Sequence, residues 1–350
     1  MKIAVIAITR NGVRLGSKLT GGLANVSLYV PRKFAGTAAG STVYDGELRD
    51  LVARLWQEVG GFVFIMATGI VVRLIAPHLR AKDTDPAVVV MDDAGNFAIS
   101  LLSGHLGGAN ELASRCAFIT GAREVITTAT DVNGLPSFDM IAREEGWGIE
   151  ELGRVKVLNS LLLDDEQIAV VDPTGRVRNA FHGKGKLSFH DTFVAALESG
   201  AKGFLFVTNR QLPPQVRSER LLVLRPKNLV LGIGCNSGTT VEEIAEIVHS
   251  TLKRLFLSVR SVRCVGTAEA KRDEPGLVAF AEAIGVPLVT YPSSELNCVE
   301  TPSPPSEYAL AAIGAAGVAE PAALLASGGG TLLMKKLKSG NVTLAIAEIG

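Results

Sequence analysis

Apolar runs alternate with segments of helical spacing through the first third of the chain. The runs that predict strands are residues 3–8, 62–67, 87–91, 97–102 and 125–128, and helical spacing is found at 46–59 and after Gly107. This alternation is typical of a doubly wound α/β sheet. Turn-forming residues cluster from Thr130 to Pro136, so we predict a first domain at residues 1–135.

The pattern is less regular from residue 136 to residue 226 and becomes regular again after Lys227. A helix near 155–163 and strands at 168–171 and 203–208 predict a smaller middle α/β domain, and the charged, proline-bearing tract 210–225 predicts an exposed connection. A separate C-terminal α/β domain is predicted at 227–350. It begins with a strand at 229–232, a glycine loop at 232–238 and a helix at 241–255, where Thr240 and Glu243 have capping-box spacing.

Composition argues against two classes of partner. The 35 basic and 35 acidic residues give a formal net charge of zero, and no basic run forms a stripe that would bind nucleic acid. The longest apolar stretch, Gly60 to Val72, is shorter than the roughly 20 residues that span a bilayer, so we expect no membrane segment. Residues Met1 to Ile8 predict a buried first strand better than a signal peptide, and we expect a cytoplasmic protein.

The cysteines and most histidines predict neither a disulfide nor a metal site. The four cysteines are far apart in the sequence and form no C-x-x-C pair, so we expect them to be reduced. Histidines other than His105 have no carboxylate or thiol at a recognised metal-ligand spacing. We therefore expect no protein-bound metal and no cofactor.

Four glycine-bearing loops follow predicted strands, and together they offer many backbone amide donors. In open α/β sheets such loops lie at the carboxyl ends of strands, where ligands bind, although each glycine could instead only satisfy a tight turn. No loop matches the phosphate-loop or dinucleotide patterns, which favours a substrate with several carboxylates over a nucleotide. The candidate substrate-binding residues in these loops are Thr68, Gly69, Ser103, Gly104, Gly107, Gly108, Gly232, Gly234, Asn236, Ser237, Gly238 and Thr239.

His105 is the main candidate catalytic residue, because it lies in a glycine loop at the predicted start of a helix. Unpaired first-turn amides favour an anion, and an imidazole can transfer protons near neutral pH. Asn110 and Glu111 could orient a ligand or a water molecule, although Glu111 could simply complement the helix dipole. Asp131 or Asp139 could pair with His105, although Asp139 could equally be a helix N-cap.

Arg73 is the single charge in the segment from Gly69 to Pro77. Its guanidinium could bind a substrate carboxylate in a bidentate manner. It could instead extend into solvent or pair with Asp83 or Asp85. Both alternatives stay open at the level of the sequence.

Several longer motifs resemble the CbiG family of cobalamin biosynthesis, whose members are cobalt-precorrin-5A hydrolases. In the first domain the resemblance lies in Met66–Arg73, Asp85–Val90, Leu101–Leu112 and Thr127–Pro136. In the last domain it lies in Leu231–Thr239, Lys271–Leu277 and Gly340–Ile346. The resemblance therefore covers nearly the full chain.

The resemblance implies a hydrolase of the anaerobic, early-cobalt route to the corrin ring. Its substrate would be a cobalt-bearing tetrapyrrole in which the ring A acetate forms a δ-lactone with the methylated meso carbon. Water would open the lactone, and that carbon would leave with its methyl group as acetaldehyde, which contracts the ring. Cobalt would arrive with the substrate, and hand-over contacts with neighbouring enzymes of the pathway are conceivable.

On this basis His105 would activate the attacking water or protonate the departing alkoxide, while amides around Gly107 and Gly108 would stabilise the lactone oxyanion. Two other classes of function stay open. A non-catalytic carrier of a tetrapyrrole intermediate would change its absorption spectrum without releasing aldehyde. A nucleotide-dependent transferase that used the Gly232 loop would be stabilised by ATP or NAD.

Overall fold

The computed structural model describes residues 1–81 and 84–350. The chain forms three β-sheets with helices, so the predicted α/β class and its three-part composition are confirmed. Two compact units are separated after Met140, and the second unit contains two of the sheets. The exact domain boundaries after residues 135 and 226 stay predictions.

The N-terminal sheet has seven strands in the order β3-β2-β1-β4-β5-β6-β7. Helices α1 and α4 pack on one face of this sheet, and α2 and α3 pack on the other, which confirms the doubly wound arrangement. The strands are β1 Ile3–Ala7, β2 Val26–Pro31, β3 Thr42–Tyr44, β4 Gly61–Ile65, β5 Ala87–Met91, β6 Phe97–Leu102 and β7 Arg123–Val125. The helices are α1 Arg10–Gly22, α2 Leu48–Leu55, α3 Thr68–Ile75, α4 Ala109–Thr120, α5 Ala129–Val132 and α6 Phe138–Glu144.

The direction of β6 determines where the His105 loop lies. β6 runs antiparallel to β5, with Leu102 opposite Val88, whereas β4 and β5 run parallel. The carboxyl end of β6 therefore lies at the edge where β4 and β5 begin. β7 runs parallel to β6, so the segments that follow these two strands emerge at the same edge.

The middle sheet has the order β10-β9-β11-β12-β8, and all its pairs are parallel except β12 with β8. The predicted exposed connection at 210–225 is wrong over its last five residues, because residues 221–225 form a completely buried strand. Arg225 is only 2% exposed, and its guanidinium donates to Glu150 and to the carbonyl of Thr208. The elements are β8 Gly148–Ile149, α7 Leu152–Leu163, β9 Ile168–Val171, α8 Arg176–Phe181, β10 Leu187–Phe189, α9 Phe193–Leu197, β11 Gly203–Val207 and β12 Leu221–Arg225.

The C-terminal sheet has the order β15-β14-β13-β17-β16. Its last two strands form an antiparallel hairpin that turns at Gly340, as their sequence predicts. Thr240 caps the first helix by accepting a hydrogen bond from the amide of Glu243, which confirms that part of the capping prediction. The elements are β13 Leu229–Cys235, α10 Val241–Arg254, β14 Val262–Ala268, α11 Pro275–Ala283, β15 Leu288–Tyr291, α12 Ser293–Asn297, α13 Glu307–Ile313, α14 Ala319–Ala326, β16 Thr331–Ser339 and β17 Val342–Glu348.

Candidate active site

The candidate site is formed by two segments that leave the same edge of the N-terminal sheet. One is the loop Ser103–Gly108, between β6 and α4, and the other runs from Thr127 through α5. The parallel pairing of β6 with β7 brings these segments together. Residues 26 positions apart in the sequence, His105 and Asp131, are thereby placed in contact.

The loop has a shape that requires glycine at two positions. A Cβ atom on Gly107 would lie 2.3 Å from Cβ of Ser103 and 2.7 Å from its carbonyl oxygen, which no side chain permits. Gly108 has a φ of 89°, in the left-handed region that glycine adopts without strain. Ser103 itself has a φ of 57°, and its hydroxyl is buried without a hydrogen-bond partner in the described part of the chain.

The imidazole of His105 lies between two carboxylates. Its Nε2 is 2.8 Å from Oδ2 of Asp131, and its Nδ1 is 3.3 Å from Oδ2 of Asp139. The side chains of His105, Asp131 and Asp139 are 15%, 41% and 4% exposed, respectively. The prediction that an aspartate pairs with His105 is therefore confirmed for both candidates, and Asp131 is the carboxylate that solvent can reach.

The two carboxylates raise the pKa of His105 above its usual value. The hydrogen bond to Asp139 is the largest cause, burial opposes it, and the hydrogen bond to Asp131 adds to it. An imidazolium can donate from both nitrogens, which matches the two contacts. The arrangement therefore favours the protonated form of His105, which can act as a proton donor.

We expect Asp139→Asn to lower the pKa of His105, because it removes the largest cause of the upward shift. An NMR titration of the imidazole protons measures this directly, with the exposed His182 as the internal control. The raised pKa also implies that His105 stabilises the fold fully below about pH 6.5, and that this contribution is lost as pH rises through the folded-state pKa. An unchanged His105 titration in Asp139→Asn would contradict the assignment.

Asn110 holds the site in position through three hydrogen bonds. This side chain is buried, and its Oδ1 accepts from Ser100 Oγ at 2.7 Å. Its Nδ2 donates to Thr128 Oγ1 at 3.0 Å and to Asp131 Oδ2 at 3.1 Å. Asn110 was predicted to orient a ligand or a water molecule, and the structure shows that it orients the Asp131 carboxylate.

Sequence reasoning missed Ser100, Thr128 and Thr130 as parts of this site. Thr130 is buried, and its hydroxyl is 3.3 Å from Nε2 of His105. Thr128 was interpreted as the end of a strand and Thr130 as the start of a turn, whereas β7 ends at Val125 and residues 129–132 form a helical turn. The clustering of three threonines just before Asp131 was the available signal.

The amides at the start of α4 are mostly occupied by the loop itself. Gly108 N donates to the carbonyl of His105, Ala109 N to Ser103, and Asn110 N to Gly104. The expectation that the Gly108 amide stabilises an oxyanion is therefore wrong for this conformation. The amide of Gly107 has no hydrogen-bond partner among residues 1–81 and 84–350, so it stays a candidate donor.

Glu111 lies exposed in the first turn of α4. An acidic side chain at this position stabilises the positive end of the helix dipole. The predicted catalytic role of Glu111 stays a prediction.

Thr68, Gly69 and Arg73 lie at the opposite edge of the N-terminal sheet. They follow β4, whose carboxyl end is paired with that of β5, away from the end of β6. Arg73 Nη1 donates to the carbonyl of Gly69 at 2.9 Å, within its own helix. The loop that follows β4 and the His105 loop therefore lie at opposite edges of this sheet, because β6 runs antiparallel to β5.

Asp85, one of the two proposed partners of Arg73, is not seen in contact with it among the described residues. The Asp85 carboxylate accepts hydrogen bonds from the amide of Arg80 at 3.0 and 3.1 Å. Asp83 lies outside the described residues. Arg73 is exposed, which agrees with the alternative that it extends into solvent.

Two predicted substrate-binding glycines of the C-terminal domain lie inside β13, which extends to Cys235 and not to residue 232 as predicted. A Cβ atom on Gly232 would lie 1.9 Å from the carbonyl oxygen of Ala319, and one on Gly234 would lie 2.7 Å from Thr343 Oγ1. Both glycines therefore allow α14 and a neighbouring strand to pack closely on β13, which is a structural role.

The rest of this glycine loop forms hydrogen bonds with its surroundings. Asn236 Nδ2 donates to Asn341 Oδ1, Gly238 N to Glu274 Oε1, and Thr239 Oγ1 to the carbonyl of Asn236. Ser237 Oγ accepts from Lys271 Nζ at 2.9 Å, and Lys271 also forms an ion pair with Glu274. The hydrogen bond to Lys271 lowers the pKa of Glu274.

We expect Gly232→Ala to destabilise the protein by about 1 to 3 kcal/mol or more, because the added methyl group overlaps a backbone carbonyl. Urea unfolding measures the change. Gly153→Ala is the control, since its Cβ atom meets no other atom within 4 Å and the site is helical. Equal stability of the two variants would show that Gly232 has no packing role.

The two carboxylates of the site contact opposite nitrogens of one ring, so they do not converge on a common point. Among the described residues, no group of three or more His, Cys, Asp and Glu side chains could hold a metal ion. The expectation of a protein without a resident metal stays a prediction.

No helix within 1–81 or 84–350 is long and apolar enough to cross a bilayer.

Three family models match successive parts of the chain. They are described as cobalamin synthesis G N-terminal at residues 50–131, cobalamin biosynthesis central region at 136–226, and cobalamin synthesis G C-terminus at 229–347. A protein of Priestia megaterium named cobalt-precorrin-5A hydrolase is 38% identical, over 99% of this chain and 94% of its own length. The chain belongs to the CbiG family.

Other relatives agree with membership of the CbiG family. A cobalt-precorrin-5A hydrolase of Salmonella typhimurium is 30% identical, over 98% of this chain and 97% of its own length. Protein CobE of Sinorhizobium sp is 33% identical over 34% of this chain. The predicted resemblance to CbiG proteins is therefore confirmed.

Proposed function

We propose that this protein is a cobalt-precorrin-5A hydrolase of cobalamin biosynthesis. The observation that carries the proposal is the near full-length similarity to two proteins of that name, at 38% and 30% identity. The site around His105 supports it, because an acid and a carboxylate base in contact are what hydrolysis of a lactone requires. No observation favours a non-catalytic carrier.

The reaction has two steps whose atoms balance. Water adds to the lactone carbonyl, and the bond between this carbon and the ring oxygen breaks, which leaves a free ring A acetate and a hydroxyl group on the methylated meso carbon. That hydroxyl then loses its proton as the bond from the meso carbon to the macrocycle breaks. The macrocycle keeps the electron pair and accepts a proton, and the meso carbon leaves as acetaldehyde.

In this proposal Asp131 is the base and His105 is the acid. Both hydrogen bonds to Asp131 fall on Oδ2, so Oδ1 is the oxygen that can accept a proton from the attacking water. His105, with its raised pKa, donates a proton to the departing alkoxide. Asp139 and Asn110 are positioning residues, since one holds the ring of His105 and the other holds the Asp131 carboxylate.

The Gly107 amide is the remaining candidate for stabilising the lactone oxyanion. The backbone carries this donor, so a side-chain substitution does not remove it. Cobalt belongs to the substrate, and the proposed roles of the protein are to bind the macrocycle, to position water and to move protons. Ser103 and Gly104 shape the loop that would face the substrate.

The test is to mix the purified protein with cobalt-precorrin-5A and to measure acetaldehyde by coupled reduction with NADH. We expect stoichiometric acetaldehyde and a change in the absorption spectrum of the macrocycle. A spectral change without any acetaldehyde would contradict the hydrolase and support a carrier. Absence of both would reject the two functions.

A further inference from the structure

An open cleft of about 430 Å³ lies within the unit formed by residues 141–350. Its apolar wall comes from the two helices α10 and α11 and the turn that precedes β14. The residues that form this wall are Val241, Ala245, Val259, Phe280, Ala283 and Ile284. The cleft is separate in sequence from every residue of the His105 site.

Two cationic side chains and one histidine line the same cleft, and none of its lining residues is acidic. Lys227 lies in the connection between β12 and β13, Arg260 lies just before β14, and His249 lies on α10. The His249 ring contacts the edge of Phe280, with the ring centroids 6.4 Å apart. The cleft therefore combines an apolar wall with concentrated positive charge.

Lys227 has no hydrogen bond or ion pair to any of the residues that the structure describes, although it is half-buried. Burial lowers the pKa of Lys227, and the positive charge of Arg260 lowers it further. Arg260 is held by backbone carbonyls of residues 149 and 150, which do not neutralise its charge. Lys227 is therefore half-buried beside an exposed second cation, and a bound anion would offset both the burial and the repulsion.

We propose that this cleft binds one edge of a ring-shaped polycarboxylate, with carboxylate arms on Lys227 and Arg260 and the apolar ring edge against α10 and α11. The identity of that ligand as the cobalt tetrapyrrole rests on the proposed function. Pockets for small molecules typically have volumes of about 300 to 1,000 Å³, so this open cleft is large enough for an edge of such a macrocycle. The cleft would be a binding site for this class of ligand within residues 141–350.

The test uses the full chain and the corrin cobyrinic acid, whose side arms are free carboxylates, titrated by absorbance at low salt. Lys227→Glu is expected to weaken binding at least 10-fold. Lys227 has no partner in the described part of the chain, so we expect the variant to fold. Lys253→Glu is the matched control, because this lysine is exposed near the end of the same helix α10 and does not line the cleft.

Two further ligands separate the contribution of the ligand's negative charge from the contribution of its ring. Cobinamide, a corrin whose arms are mostly amides, should bind at least 10-fold more weakly than cobyrinic acid to the wild type and should not respond to Lys227→Glu. Citrate, a polycarboxylate without a ring, should not compete at equal concentration. Equal binding of cobyrinic acid to the Lys227→Glu and Lys253→Glu variants would overturn the proposal, and so would effective competition by citrate.

Kinetics distinguish this proposal from the proposed function. With the natural substrate, Lys227→Glu should raise KM while kcat for acetaldehyde release stays near the wild-type value, because the reacting groups are elsewhere. If Lys227→Glu released acetaldehyde with an unchanged KM, the proposed binding cleft would be overturned, whereas the proposed hydrolase activity would stand. The wild type could instead bind cobyrinic acid in a way that depends on Lys227 and yet release no acetaldehyde. That result would contradict the proposed hydrolase activity and leave the proposed binding cleft intact.

Discussion

Replacing His105 by asparagine is expected to lower kcat for acetaldehyde release by about 100- to 10,000-fold, the usual range for loss of a general acid or base. Asparagine can still form hydrogen bonds, but it cannot carry a proton between them. The imidazole contacts both Asp131 and Asp139, and its loss removes the group that donates the proton to the departing alkoxide in the proposed mechanism. Single-turnover assays of acetaldehyde measure the effect on chemistry directly.

His182→Asn is the matched control for this substitution. His182 is exposed and has a φ of 48°, a backbone conformation that asparagine tolerates. We expect wild-type rates for His182→Asn and nearly unchanged affinity for a cobalt macrocycle in both variants. A His105→Asn enzyme with a wild-type rate would reject the proposed acid, and a large loss of affinity would indicate a binding role.

The alternation of apolar runs predicted the α/β fold because buried parallel strands and amphipathic helices have distinct periods. It did not predict α1 or β2. Gly12 and Gly16 face the sheet in α1, where Cβ atoms would come within 3.2 Å or less of side chains on neighbouring strands. Glycines at such contacts weaken the helical pattern in the sequence, although the close packing of α1 depends on them.

Arg225 shows why the buried strand β12 was missed. A charged residue at the end of an apolar run suggests exposure, and the tract before it contains prolines and several charges. In the folded protein Glu150 pairs with Arg225, and backbone carbonyls accept the remaining hydrogen bonds. Glu150 lies 75 positions away in the sequence, so local patterns could not reveal this pairing.

The candidate site could be predicted only in part, because local sequence patterns do not show which strands run antiparallel. The glycine spacing placed His105 in a tight loop, and two nearby aspartates were recognised as candidate partners. The direction of β6 was not predictable, because an antiparallel and a parallel strand have the same apolar pattern over six residues. This direction decides that Thr130 and Asp131, and not Thr68 and Arg73, are placed beside His105.

Replacing Asp131 by asparagine is expected to lower kcat for acetaldehyde release by a factor of about 100 to 10,000. The substitution keeps the size of the side chain and can keep the hydrogen bonds to His105 and Asn110, but the amide oxygen is not a base. Asp131 is the more exposed of the two carboxylates, so the loss should appear in kcat and not in folding. Asp164→Asn, at an exposed helix end, is the control.

The double variant His105→Asn with Asp131→Asn tests whether the two side chains act as one unit. Residues that act together in one catalytic step give strongly non-additive losses, so the double variant should be about as slow as the slower single variant. If the loss of kcat in the double variant equalled the product of the two single losses, the side chains would act independently. That result would contradict an acid and a base that act together. Circular dichroism and urea unfolding of all three variants establish that each remains folded, so that the comparison of rates reports on chemistry.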